Sequence, residues 1–573
     1  MSDPSSVSTL SPAEAPWVEG LTIDLVLRRT AADHPDHDAV VFVHSGERWT
    51  WRAFERVVDE AARGLVSLGL QRGDHFGVWA SNVPEWVILQ FAAARAGVVL
   101  VTVNPAYRTR ELEFALAQSE VRGLALIGRF KTSDFVAMLD EIDPALRGSP
   151  AAGIRSAKLP RLSWLIGLRG AEVPGLLPWR ELLAAGQSVT DEQMAERADS
   201  LAPGDPINLQ YTSGTTGNPK GVLLTHRNLL LNAFYAGERQ RLTAADRICI
   251  PVPLYHCFGC VLGTLVAMVR GAAMIFPSES FHTRETLHAV SAERCTALYG
   301  VPTMFIAQLE SPDFIVADTS SLRTGIMAGS PCPIELMKRV TSEMGIREIT
   351  IGYGQTEASP LITMTRADDP LELRVSTVGR TLPGVEVRIV DPATGDEVPD
   401  GTSGELCCRG HNVMTGYYNM PEQTEQAIDP EGWLHTGDMA LRRPDGYLRI
   451  TGRLKDMIIR GGENISPREI EEVLHQHPGI EDAYVVGVPD HRWGEEVLAC
   501  IRLRSAVNGA AATTAEEIRQ FCGQRLAHFK VPHYVRFVDG FPTTVTGKIQ
   551  KFRLREEAIR ELGLEEEAGE ETA

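Results

Sequence analysis

The chain has 573 residues, of which 43% are hydrophobic and 23% charged, an ordinary globular mixture with room for roughly three or four domain-sized cores. Its net charge of -19 excludes nucleic acid as the main partner, since no basic excess exists to neutralise a phosphate backbone, but it leaves room for a local basic site. Nine cysteines, an odd number scattered along a long chain, predict reduced thiols and not a disulfide framework.

Residues 1–20 are rich in Ser, Pro and Ala, and the first arginine is Arg28. They predict a disordered tail with neither the basic flank nor the apolar centre of a secretion signal. From about Leu21 to Thr451 short β-branched runs alternate with longer amphipathic ones, for instance Asp74–Ala80 as strand, Glu85–Ala96 as helix and Val98–Val103 as strand. That alternation predicts an α/β architecture with buried parallel strands. Arg95 interrupts the apolar stretch Trp86–Val103, and Arg270 interrupts Phe258–Phe276, so both are predicted as buried helix and strand and not as membrane spans. Further on, Val385–Asp391, Gly404–Arg409 and Gly437–Gly452 predict antiparallel ribbon, turned at Pro444-Asp445-Gly446. Folding back at that turn sets Asp438 beside Gly452 and Arg453. A carboxylate and a guanidinium at the open end of a hairpin suit a grip on a polyol such as ribose, or a plain cross-strand salt bridge, and spacing leaves both open.

After Arg453 a smaller domain is predicted. Ser466-Pro467-Arg468-Glu469 predicts a helix start with N-cap, N1 proline and capping-box glutamate, followed by the apolar stripe Ile470, Val473 and Leu474. Thr514 and Glu517 repeat the box before Ile518, Phe521 and Cys522, with Pro532 predicted to stop that helix. His475 and His477 lie two apart on the first helix, share no face, and are expected to be solvated. Gly563–Ala573 predicts a disordered acidic tail, and the chain carries no internal repeat.

The chemistry-bearing string is Tyr211–Gly221, with three glycines, the hydroxyls of Thr212, Ser213, Thr215 and Thr216, and one lysine, Lys220. Gly214, Gly217 and Gly221 allow backbone N–H groups to turn inward as an anion nest, which the hydroxyls and the ammonium complete. The string is not the Walker loop, which needs Gly-Lys-Ser/Thr where this chain has Pro219-Lys220-Gly221. Three more motifs follow in order. In Gly352-Tyr353-Gly354-Gln355-Thr356-Glu357 a ring between glycines can lie against a base, Thr356 can reach a phosphate and Glu357 can offer a hard oxygen to Mg²⁺. His435-Thr436-Gly437-Asp438 comes with its partner pair Gly452-Arg453, and Pro542–Ile549 carries Lys548 behind a glycine turn. Cys257 and Cys260 form a CxxC with no second pair at zinc-site spacing, so small residues opening a pocket account for them better than a metal.

Together the four motifs resemble those of the adenylate-forming superfamily over about Leu21 to Leu562. Asn104–Arg108, Pro253–Cys257, Tyr299–Phe305, Ala328–Pro331 and Asp456–Ile465 look more closely like medium-chain fatty-acyl-CoA synthetases of the acyl-CoA synthetase family member 2 type. The resemblance implies an AMP-forming fatty-acid–CoA ligase that uses ATP, Mg²⁺ and CoA. It also implies a large α/β domain over 21–453 with parallel-sheet subdomains and a β-ribbon or barrel subdomain, a hinge at 454–456 and a small mobile α+β lid over 457–562. By the same resemblance Lys548 bridges carboxylate and phosphate, Glu357 holds Mg²⁺ and Thr356 contacts the α-phosphate. Thr212 to Lys220 hold the outer phosphates, Asp438 and Arg453 grip ribose, and Gly329, Ser330 and Tyr353 enclose adenine. Lys455 is the hinge, Gly461 and Gly462 line the pantetheine channel, and His256 lines the acyl tunnel, although a lone histidine beside an apolar run is more often a packed core residue.

Amino-acid-activating domains carry an Asp near the His256–Phe258 region, and none is present here. Aryl-CoA ligases remain the rival, differing only in pocket shape, whereas a non-catalytic nucleotide- or acyl-binding protein predicts loss of Lys548, Glu357 or the phosphate loop. Similar enzymes set the expectation of a homodimer, and the scattered thiols with the signal-free N-terminal stretch that of a cytoplasmic location, with surface contact to membranes compatible with lipid substrates.

Overall fold

The computed structural model describes residues 15–147, 153–171, 173–212, 219–330, 332–460, 463–490, 492–504, 513–544 and 549–565. Among them two large sheets form the body of the first domain. One is nine-stranded, with a parallel centre of Asp38–Phe42, Ala273–Phe276, Arg247–Cys249, Ala297–Gly300, Thr324–Ala328 and Glu348–Gly354 and antiparallel edges. The other is eight-stranded and runs in parallel from Leu177–Pro178 through Trp164–Gly167, Gly123–Leu126, His75–Trp79 and Val99–Val103 to Pro206–Thr212. It then closes with the antiparallel strands Lys220–Thr225 and Gly416–Tyr417. Strands buried on both faces need near-continuous apolar sequence, which Val99–Val103 supplies.

Helix Pro84–Ala96 is buried along its whole length, which explains its lack of a polar face. Its one cation is fully compensated: Arg95 is 1% exposed and bonds Asp24 at 2.5 Å, Glu55 at 2.7 Å and Asp59 at 3.1 Å. A buried guanidinium is tolerable only with such pairing. The stretch from Phe258 forms a π-helix, Phe258–Leu265, then the short α-helix Val266–Arg270 and the strand Ala273–Phe276. Among the described residues no helix is long and apolar enough to cross a membrane.

A four-stranded antiparallel sheet, Val385–Val390, Gly404–Gly410, Leu434–Arg442 and Leu448–Arg453, follows as expected, with its hairpin turned between Arg442 and Leu448. The large apolar core includes Ile450, and a separate one begins at Ile458. The second core is built on the sheet of Ile458–Arg460, Glu463–Ile465, Ile480–Asp490, Gly494–Leu503 and Tyr534–Phe537, with helices Pro467–Leu474 and Ala515–Gly523.

Three local expectations need correction. Ser466 precedes the helix, but its hydroxyl donates to the Thr451 carbonyl and makes no cap bond, so the capping box does not form there. The box at Thr514 and Glu517 does form, yet its helix ends at Gly523, well before Pro532, and a separate 3₁₀ turn, His528–Lys530, lies between them. His475 and His477 lie beyond the last helical residue and are half-buried: His477 Nδ1 accepts the Gly479 N–H at 3.1 Å and its ring meets Phe521 edge-on.

Candidate active site

The strand Pro206–Thr212 delivers Thr212 to the end of the eight-stranded sheet, and Lys220 begins the next strand directly opposite. Ser213, Gly214, Thr215, Thr216 and Gly217 between them lie outside the described residues, as do Gly461, Gly462 and Lys548.

The strand Glu348–Gly354 carries the second motif toward Thr212. Gly354 is required by space, since a Cβ there would sit 1.9 Å from the Pro360 carbonyl oxygen. A 3₁₀ turn, Thr356–Ala358, then presents the motif's two polar groups. Glu357 Oε1 lies 3.5 Å from the Thr212 hydroxyl and accepts the Tyr417 hydroxyl at 2.9 Å. Lys220 Nζ stands 4.8 Å from the centre of the Tyr417 ring. Hydroxyl and carboxylate oxygens of this kind suit a small hard cation, and the neighbouring ammonium suits phosphate. Thr356 is buried, with its hydroxyl 3.8 Å from Cys257 Sγ.

The hairpin register places Asp438 opposite Arg453, and Arg453 Nε donates to Asp438 Oδ1 at 3.0 Å. The Tyr353 hydroxyl donates to the other oxygen, Oδ2, at 2.8 Å, so the ring of the second motif and the pair of the third form one network. Burial, then the Asp438 charge, hold the Tyr353 phenol well above its usual range, so it stays a donor. The Asp438 charge likewise raises Arg453. Beneath this turn lies a brace. Glu405 Oε2 meets His435 Nδ1 at 2.9 Å, Glu405 Oε1 accepts the Gly437 N–H at 3.0 Å, and Cys407 Sγ lies 3.4 Å from His435 Nδ1. Gly437 has φ of 68°, a left-handed conformation suited to glycine, and it leads straight into Asp438.

Gly329, with φ of 88°, and Ser330 follow the strand Thr324–Ala328, the parallel neighbour of Glu348–Gly354 that carries Tyr353. His256 Nδ1 accepts the Phe258 N–H at 3.1 Å at the start of the π-helix. The wide helix is held by side chains: Gln90 Nε2 and the Thr264 hydroxyl both donate to the Cys260 carbonyl, at 2.7 and 2.6 Å. Gly259 presses on the Pro253 carbonyl, where a Cβ would come within 2.3 Å, and Cys260 Sγ accepts from Gln210 Nε2 at 3.2 Å. The CxxC is thus packing at a helix start. Lys455 is exposed in the 3₁₀ turn Leu454–Asp456 that joins the two cores.

Sequence reasoning passed over Tyr417, Glu405 and the Tyr353–Asp438 bond. Tyr417 carries no charge and falls in no motif, and only the pairing of Gly416–Tyr417 with Lys220–Thr225 reveals it.

These features, two largely parallel sheets, a hairpin-borne carboxylate and a small second domain, are those of an adenylate-forming enzyme architecture. Residues 27–418 match the AMP-binding enzyme family and residues 469–548 the AMP-binding enzyme C-terminal domain, so the chain belongs to the AMP-binding enzyme family. It is 48% identical over 543 residues to YngI of Bacillus subtilis (strain 168), covering 95% of this chain and 98% of that one. It is 44% identical over 572 residues to the mitochondrial medium-chain acyl-CoA ligase ACSF2 of Danio rerio, covering 98% and 93%. Among solved structures it is similar to the anthranilate CoA ligase AuaEII in complex with anthranoyl-AMP, with a TM-score of 0.83, 26% identity and coverage of 95% and 98%.

Proposed function

We propose that this protein is an AMP-forming acyl-CoA synthetase that activates a medium-chain fatty acid with ATP and Mg²⁺ and transfers the acyl group to CoA. One observation carries the reading: Thr212 of the phosphate loop and Glu357, 145 positions apart, come within 3.5 Å of each other. The chemistry explains the layout. A carboxylate is a poor electrophile, so it first attacks the α-phosphate of ATP, forming an acyl-adenylate and releasing pyrophosphate. The CoA thiol then displaces AMP.

In this reading Thr212 to Lys220, with Ser213, Gly214, Thr215, Thr216 and Gly217, hold the departing pyrophosphate, and Thr356 contacts the α-phosphate. Mg²⁺ held by Glu357 would neutralise phosphate charge. Gly329, Ser330 and Tyr353 enclose adenine. Asp438, held by Arg453 and Tyr353, accepts from the ribose hydroxyls. His256 lines the acyl tunnel. Lys548 offsets the repulsion between the attacking carboxylate and the phosphates. The separate apolar cores support a reading with a domain of 21–453, a hinge at 454–456 and a lid of 457–562. Turning there replaces Lys548 with Gly461 and Gly462 beside the pantetheine arm. A homodimer and a cytoplasmic location complete the proposal.

The medium-chain assignment rests on the 44% identity to ACSF2, against 26% to the anthranilate ligase. Pyrophosphate release measured with octanoate, decanoate, benzoate and cinnamate, with and without CoA, checks it. Release with octanoate or decanoate and the matching acyl-CoA by mass is expected. Preference for benzoate or cinnamate moves the assignment to an aryl-CoA ligase, and release with none of the acids defeats it.

The brace under Asp438 makes a further prediction. Glu405→Ala removes one partner of His435 and the acceptor of the Gly437 N–H. Loss of a charge-assisted bond is worth about 2 kcal/mol, so KM for ATP is expected to rise about thirtyfold, with KM for the acid unchanged, in initial-rate assays.

A further inference from the structure

Tyr417 stands between the two charged groups at the phosphate end of the site. We propose that it is a positioning residue for the metal–phosphate contacts, its hydroxyl aiming Glu357 and its ring seating Lys220, a role that rests on the ATP·Mg²⁺ reading above.

The backbone around Tyr417 is fixed from several sides. Tyr417 pairs with Val222 across the antiparallel edge of the eight-stranded sheet, and its N–H donates to the Thr424 hydroxyl at 2.9 Å. The Tyr418 N–H donates to the Gly221 carbonyl at 2.8 Å. Gln118 ties the same edge to the strand entering the phosphate loop: Nε2 donates to the Tyr418 carbonyl at 2.5 Å, and Oε1 accepts the Tyr211 hydroxyl at 2.6 Å. A ring held this firmly can set the direction of a flexible partner.

The partner is Glu357, whose Oε1 accepts the Tyr417 hydroxyl at 2.9 Å. A glutamate has three side-chain torsions, and fixing them in advance removes an entropic cost that metal binding would otherwise bear. The bond occupies one lone pair of Oε1 and leaves Oε2 uncommitted to Tyr417 for a cation. Burial, then the Glu357 charge, push the phenol above its ordinary value, so it remains a donor.

The face of the same ring carries Lys220 Nζ at 4.8 Å. Among the described residues Lys220 forms no ion pair with Glu357. The ring therefore holds the cation on its face and the carboxylate at its hydroxyl edge, so the two do not neutralise each other. Both remain available, one to phosphate and one to a metal.

Two substitutions separate these functions. Tyr417→Phe keeps the ring and deletes the hydroxyl, whereas Tyr417→Leu deletes both. The measurement is Mn²⁺ binding by electron paramagnetic resonance on the full chain with the α,β-methylene analogue of ATP, alongside calorimetric binding of that analogue in EDTA. Tyr417→Phe is expected to weaken Mn²⁺ about tenfold while metal-free nucleotide binding stays within twofold of wild type. Tyr417→Leu is expected to lose a further roughly threefold in metal-free nucleotide affinity through Lys220. A Mn²⁺ affinity unchanged in Tyr417→Phe overturns the proposal, as does parallel loss of Mn²⁺ and metal-free nucleotide in both variants with lowered melting temperatures. Failure of wild type to bind the analogue defeats the ATP reading itself, a result distinct from wild-type binding with an unaltered Tyr417→Phe.

Discussion

Lys548→Ala is expected to lower acid-dependent pyrophosphate release about a thousandfold, while Lys220→Ala lowers it only about tenfold. The first step brings a carboxylate against a triphosphate, and the repulsion is greatest where the new bond forms, at the α-phosphate. A cation aimed at that point acts in a water-poor site, where Coulomb interactions are several-fold stronger than in solution. Lys548 is the cation proposed for that point. The chain on either side of it is well anchored: Thr543 pairs with Ile549, the Gln550 N–H donates to the Pro542 carbonyl at 2.8 Å, and Lys551 reaches the buried Glu471 at 2.6 Å. Lys220 stands elsewhere, on the Tyr417 ring at the end of the loop proposed to retain pyrophosphate, so its loss is expected to weaken nucleotide binding more than the chemical step. Thioester formation from supplied acyl-adenylate and CoA is expected to survive Lys548→Ala, which separates a lost step from a misfolded protein. A larger defect in Lys220→Ala than in Lys548→Ala would place the catalytic weight in the first domain.

The α/β body, the antiparallel ribbon and the Asp438–Arg453 pair were all legible in the sequence, because each follows from periodicity or from a turn whose chemistry fixes register. Pro444-Asp445-Gly446 is a local signal, and folding there brings Asp438 beside Gly452 and Arg453, with a register shift between Met439 and Ala440 setting it opposite Arg453. Contacts that join distant segments left no such trace. Tyr417 meets Glu357 and Tyr353 meets Asp438 only because strands far apart in sequence end at one place. Ser466 shows the converse: its local pattern reads as a helix cap, but the Thr451 carbonyl across the domain boundary takes its hydroxyl, so a tertiary partner displaces the local one. The π-helix was hidden for the same reason, since Gln90, remote in sequence, takes up its Cys260 carbonyl.

Lys455→Pro is expected to leave adenylation within about threefold of wild type and to slow thioester formation by at least roughly thirtyfold. The proposed lid and body have separate cores, and among the described residues polar contacts link them beside the proposed hinge. Arg449 pairs with Glu472, both part-exposed, and the Ser466 hydroxyl reaches the Thr451 carbonyl. An exposed ion pair contributes about 0–1 kcal/mol and a hydrogen bond about 1 kcal/mol, so little opposes a rotation that leaves both cores intact. What the rotation does require is torsional freedom at a few residues. On the proposed reading the turn Leu454–Asp456 supplies it between two strands, Leu448–Arg453 and Ile458–Arg460, that belong to different sheets. Proline at 455 locks its own φ near -65° and restricts the residue before it, which removes two of those torsions at once. If the locked turn favours the adenylating orientation, pyrophosphate release persists and acyl-adenylate accumulates on the enzyme, visible as a burst without acyl-CoA. Equal losses in the two half-reactions, measured separately with ATP plus acid and with acyl-adenylate plus CoA, would remove the hinge from Lys455.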